Sequence, residues 1–162
     1  MQFTTKNIAV SGIVASLYVV LSLVTFPIAS GSIQLRLSEG LTLLPLIFPQ
    51  AIVGLFIGCA LSNLITGCML LDVVLGSLIT LVAGILTFIV GKIIKKTAVK
   101  IMVGGLFPVL LNALFLPLIW VKCYGTIEYI YPVQALILLV SQALSVYAFG
   151  SPVLAVIKKR IK

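Results

Sequence analysis

Polar and charged positions in this chain fall between long apolar runs rather than alternating with apolar residues. The stretches 8–26 and 73–90 contain no charged side chain. At about 1.5 Å of rise per residue, some 20 apolar residues in a helix match the roughly 30 Å hydrocarbon core of a bilayer. The strands of a membrane barrel would alternate apolar and polar residues, so the continuous runs predict helices, which satisfy their own backbone groups in lipid. Apolar segments cover 8–26, 41–65, 72–91, 101–121 and 130–157. Lys6 precedes the first as in a signal peptide, but that run is too long for a cleaved leader and reads as a permanent span.

The second segment contains Pro45 and Phe48-Pro49-Gln50. Proline removes a backbone donor and restrains its predecessor, so the segment is either one kinked span or a hairpin turning near Pro49. The hairpin gives six spans, at about 7–27, 38–48, 50–66, 72–94, 101–121 and 130–157. Lys6, the Lys92–Lys100 cluster and the Lys158–Lys162 tail then hold nine of the eleven basic residues on the cytoplasmic side, leaving Arg36 and Lys122 outside. A five-span chain with Lys6 outside satisfies the basic residues equally well, but it scatters the acids. With six spans, Glu39, Asp72 and Glu128 all sit at outer helix ends beside Arg36. The expected fold is therefore all-α, a single membrane domain of six transmembrane helices with both termini cytoplasmic. The outer loops are 27–38, 66–71 and 122–129. In the first, Ile33-Gln34-Leu35-Arg36-Leu37-Ser38 alternates with period two and predicts a short extended piece with Gln34, Arg36 and Ser38 on one side.

Composition agrees. The 162 residues are 62% hydrophobic and 9% charged, and the mean hydropathy is +1.33; a water-soluble domain could not hide that much apolar surface. The net charge of +8 does not point to nucleic acid, because the basic residues flank spans instead of lining a polar face. Their natural partner is the cytoplasmic leaflet of the lipid bilayer. Cys59, Cys68 and Cys123 form no CxxC and the chain has no histidine, so neither a metal site nor a cofactor is expected. Cys68 and Cys123 could meet outside, but spacing alone predicts no bridge, and both read as isolated thiols. No GxxxxGK[ST] loop is present, so ATP is not used by that route. Glu39 and Asp72 as a catalytic pair would lack a nucleophile or metal beside them, which argues against an enzyme.

Polar side chains within lipid are costly and need a reason. The candidates are Asn63, Asn112, Gln134 and Gln142, with Glu39 and Asp72 at the outer ends. Trp120 lies two turns outward of Asn112 on a neighbouring face. Each has a plainer reading. Asp72 could cap its helix, Glu39 could favour a helix dipole behind Ser38, and the amides could bond between helices. Trp120, Tyr129 and Tyr131 could form an interfacial belt, and Glu128 could be solvated. A shared pocket would have a definite chemistry. Its carboxylates would take an ammonium or the N–H donors of a purine-like edge, its amides would read a heterocycle, and Trp120 or Tyr124 would stack on a flat ring. In the first span, Ser11/Ala15 and Gly12/Ser16 place small residues four apart, for packing within the chain or for docking a partner.

The run Ile33 to Pro45 (IQLRLSEGLTLLP), the stretch Gly54 to Cys59 continuing to Asn63, and Leu70 to Ser77 (LLDVVLGS) resemble the QueT family. These proteins are similar to the S components, or substrate-binding subunits, of energy-coupling factor (ECF) transporters, and the resemblance covers residues 5–157. It implies a six-helix S-component fold in a bacterial plasma membrane, with a ligand site near the outer face. It also implies a 7-deazaguanine ligand of the queuosine-precursor class, such as 7-aminomethyl-7-deazaguanine. The implied partners are a transmembrane scaffold subunit and two cytoplasmic ATPases, with uptake thought to involve tipping of the S component in the membrane. Where S components often carry alanines four apart for docking, this chain has Ser11, Gly12, Ala15 and Ser16. The expected site has Glu39 and Asp72 as carboxylates, Asn112, Gln134 and Gln142 as amide readers, Trp120 or Tyr124 as the stacking surface, and Arg36 organising the first loop. The rivals are an S component for another vitamin or heterocycle, and a stand-alone secondary transporter, against which the lack of an inverted repeat weighs.

Overall fold

A computed structural model describes residues 4–29, 33–125 and 127–161, and these are helical with no strand among them. The elements are α1 (Thr5–Ala29), a 3₁₀ helix (Leu37–Leu46), α2 (Ala51–Ile65), α3 (Leu70–Ile93), α4 (Thr97–Tyr124), α5 (Tyr131–Ala143), a π-helical turn (Leu144–Phe149) and α6 (Gly150–Ile161). The last three run on as one rod. Helices α1, α3, α4 and that rod are long and apolar enough to cross a bilayer, whereas α2 is shorter, at 15 residues. The chain is an integral membrane protein.

The chain breaks at Phe48–Gln50, between the 3₁₀ helix and α2. The first half of that expected hairpin is a 3₁₀ helix rather than an α-helix. Two local features weaken regular backbone bonding here: Pro45 has no amide to donate, and the Thr42 hydroxyl donates to the Glu39 carbonyl at 2.5 Å. The rise of about 2.0 Å per residue carries ten residues some 20 Å. The extended piece expected at 33–38 is not a strand, because Gln34 takes φ +38°. Arg36 has an extended backbone just before the 3₁₀ helix, at φ −101° and ψ 109°.

The 3₁₀ helix occupies the middle of the bundle. Every residue from Ser38 to Leu46 is buried, and it packs on α1, α2, α3, α4, α6 and the π turn. Glycine makes two close approaches possible. A Cβ on Gly150 would lie 2.5 Å from the Gly40 carbonyl oxygen, and one on Gly58 would lie 2.8 Å from Tyr18 Cβ. The first brings the rod against the 3₁₀ helix, the second brings α2 against α1. Helix α1 behaves differently. Val14, Ala15, Tyr18, Ser22, Thr25 and Ala29 face inward, while Ile13 is 61% and Val24 70% exposed. Such an outer face is unfavourable in water and compatible with lipid.

The bundle has two unlike ends. Asp72 is in the first turn of α3 and Lys92 in the last, about 30 Å apart at ~1.5 Å per residue. Lys95, Lys96 and Lys100 cluster at the Lys92 end, and the rod returns there, where Lys158 Nζ donates to Thr97 Oγ1 at 2.9 Å.

Candidate ligand-binding site

The polar residues of the spans converge at the end opposite the lysines, in two adjoining cavities. The inner one is built on Glu39, which the 3₁₀ helix carries into the bundle at 3% exposure. Tyr18 of α1 donates its hydroxyl to Glu39 Oε1 at 2.5 Å. Asn112 of α4 donates its amide to Glu39 Oε2 at 3.2 Å and to Gln142 Oε1 at 3.3 Å. Three helices are thereby tied to one carboxylate. Ser22 donates to Ser38 at 2.8 Å, so the Ser38 hydroxyl is bonded to α1, and no side chain caps the 3₁₀ helix. The space beside Glu39 is small, about 20 Å³, and also meets Gln34, Arg36, Asn63, Asp72 and Asn112.

The outer cavity is a vestibule of about 390 Å³. Asp72 lines it from the first turn of α3, Trp120 and Tyr124 from the end of α4, Gln134 from the start of α5, and Arg36 and Gln34 from the segment before the 3₁₀ helix. The Tyr124 hydroxyl donates to Asp72 Oδ2 at 3.1 Å while accepting the Met69 backbone N–H at 3.2 Å. That links α4 to the α2–α3 turn. Asp72 does not cap its helix: Met69 holds the cap position, without a side-chain bond. The charge of Arg36 acts on both Glu39 and Asp72. Gln34, Arg36, Asp72 and Trp120 border both cavities, so the two adjoin. Gln34 is the only non-glycine with positive φ among the described residues, a conformation that carries local strain.

The expected site residues therefore divide. Arg36, Asp72, Trp120, Tyr124 and Gln134 line the vestibule, and Glu39 and Asn112 line the inner cavity. Gln142 lines neither cavity. It lies fully buried, and its Oε1 accepts the hydrogen bond from Asn112. Glu128 lines the vestibule wall. The three cysteines are free thiols, and of them Cys68 lines the vestibule. The small residues of α1 divide as well. Ala15 is buried against Gly58 of α2 and Ser11 donates to the Gln50 carbonyl at 2.8 Å, so these two pack within the chain. Gly12 and Ser16 face outward.

Two residues that build the site lie outside the expected set: Gln34, which borders both cavities, and Tyr18, which is bonded to Glu39. Gln34 stands out in the sequence only through its alternation. Tyr18 belongs to the stripe Ser11, Ala15, Tyr18, Ser22, Thr25, whose spacings of four and three mark one helix face. A tyrosine on a stripe of small and hydroxyl residues needs a buried acceptor, and that signal could have found it.

A family model described as the QueT transporter matches residues 8–159. No curated protein and no solved structure matches the chain.

Proposed function

This chain belongs to the QueT transporter family, and we propose that it is the substrate-binding S component of an ECF importer in a bacterial plasma membrane. It crosses the membrane six times with both termini in the cytoplasm. The separation of the lysine end from the acid-bearing end supports that orientation, because basic residues favour the cytoplasmic side. The vestibule then opens outward. Its ligand is a 7-deazaguanine, taken from outside and released inward when partner ATPases hydrolyse ATP. The partners are a transmembrane scaffold subunit and two ATPases, and the outward-facing Gly12 and Ser16 offer a close-packing face on α1 for docking.

One observation carries the ligand reading. A cavity of about 390 Å³ combines an aromatic wall, Trp120 and Tyr124, with Asp72, Gln134 and Arg36. A flat ring stacks on the aromatics, N–H groups of its guanine-like edge meet a carboxylate, and an amide reads the neighbouring donor and acceptor. The test is calorimetric titration of 7-aminomethyl-7-deazaguanine into the detergent-solubilised chain, wild type against Glu39→Gln. Saturable heat from the wild type, weakened in the variant, is expected. No heat from well-folded wild type defeats the substrate assignment. Co-purification with two ATPases tests the assembly separately.

A further inference from the structure

The inner cavity has a composition that ring stacking in the vestibule does not use. Its volume is about 20 Å³, and roughly 10–15 Å³ suffices for one water-sized group. Two oxygens of its lining residues, Asn63 Oδ1 and Gln34 Oε1, are buried and accept no hydrogen bond among the described residues. Asn63 is 4% exposed, and among the described residues its amide nitrogen reaches only Cys59 Sγ, at 3.8 Å. Buried acceptors are almost always partnered, so two on residues that share one small space point to a missing donor. The charges point the same way. Glu39, Asp72 and Arg36 border this space, two carboxylates against one guanidinium.

We infer that the inner cavity is a subsite for a primary ammonium group of the ligand. The ring lies in the vestibule, and the amine reaches inward past Gln34, Arg36 and Asp72, the residues common to both spaces. An –NH₃⁺ group is close to water in size, has three donors and no acceptor, and carries the one positive charge that balances the wall. Asn63 Oδ1 and Gln34 Oε1 accept hydrogen bonds from two of its N–H groups, and the carboxylates accept from the third. A nitrile or a bare ring carbon at this place leaves both amide oxygens without a donor. The inference rests on the 7-deazaguanine reading and adds to it an orientation and a preference among those bases.

Gly76 gives a probe that respects the fold. A Cβ there would lie 3.3 Å from Asn63 Nδ2 and 3.8 Å from Asp72 Oδ1, and alanine is the better helix former. The experiment titrates 7-aminomethyl-7-deazaguanine, 7-cyano-7-deazaguanine and unsubstituted 7-deazaguanine into the full chain, as wild type, Gly76→Ala and Asn63→Leu. Thermal unfolding without ligand reports whether each variant is folded. The wild type is expected to prefer the amine by about 10- to 150-fold, the range for hydrogen bonds to a charged group. Gly76→Ala is expected to cut that ratio at least tenfold, and Asn63→Leu to cut it in the same direction. Equal binding of all three bases by the wild type overturns the subsite and leaves the substrate class standing. A ratio unchanged in folded Gly76→Ala also overturns the subsite. Binding of none of the three overturns the substrate class and this orientation with it.

Discussion

Glu39 and Asp72 stand along one polar path, yet their surroundings differ in kind. Glu39 is enclosed, at 3% exposure, and accepts hydrogen bonds from Tyr18 and Asn112 on two different helices. Behind Asn112 lies Gln142, so the inner cluster joins α1, the 3₁₀ helix, α4 and α5. Asp72 lies on the wall of a cavity some twentyfold larger, held by Tyr124 from the exposed end of α4. Around Glu39 the inner region is a bonded cluster of Tyr18, Asn112 and Gln142, while the outer region keeps much of its surface open. The same functional group therefore sits in two settings: the inner carboxylate is bonded to two other helices, and the outer one lines an open cavity with a single tyrosine bonded to it.

The largest expected effect breaks this comparison if it fails. Glu39→Ala removes the acceptor of two buried donors, each costing about 1–3 kcal/mol when left unmade, or roughly 2–6 kcal/mol together. The ligand-free thermal midpoint should fall by several degrees, measured in detergent by tryptophan fluorescence of Trp120. Asp72→Ala should lower that midpoint far less. Equal falls in the two variants would mean that the inner cluster is no more structural than the vestibule wall.

Asp72→Asn addresses the outer region. It keeps the shape and an acceptor for the Tyr124 hydroxyl, and it removes the charge. Affinity for the aminomethyl base should drop by about 10- to 150-fold, while the ligand-free midpoint stays within about 2 °C. An unchanged affinity would remove Asp72 from the ligand's surroundings and leave it as a strut for Tyr124.

The contrast between the regions also marks what the sequence could express. Helical character, the break at Phe48–Gln50 and the gathering of Arg36, Glu39 and Asp72 near one end all follow from one-dimensional signals: apolar run length, proline and charge. Which polar residue meets which does not. Gln134 and Gln142 look alike on one helix and both are fully buried, yet one borders the vestibule and the other is bonded to Asn112. Their difference is fixed by depth and by the neighbouring α4, which no local pattern encodes. The 3₁₀ helix was legible as an apolar segment after Arg36 but not as the centre of the bundle. Its central place depends on backbone approaches at Gly40 and Gly150, residues 110 positions apart in the chain. The Ser11/Ala15 and Gly12/Ser16 pairs have the same spacing, and only the position of α2 separates an inner pair from an outer one.

The smallest expected effect falls on the residue that belongs to both regions. Trp120 borders the vestibule and the inner cavity and is neither fully buried nor fully exposed. If it supplies the face on which the ring stacks, Trp120→Leu keeps apolar bulk and loses an aromatic contact worth about 0.5–1.5 kcal/mol beyond the area it covers. That converts to roughly 2- to 13-fold in affinity. The loss should be similar for the aminomethyl, cyano and unsubstituted bases, because all three have the same ring. Calorimetry on the three ligands therefore separates stacking from charge recognition: a uniform loss assigns Trp120 to the ring, while a loss confined to the amine assigns it to the wall of the inner cavity. Loss of heat for every ligand, together with a lowered ligand-free midpoint, would instead place Trp120 with the structural cluster around Glu39 and move the boundary between the two regions outward.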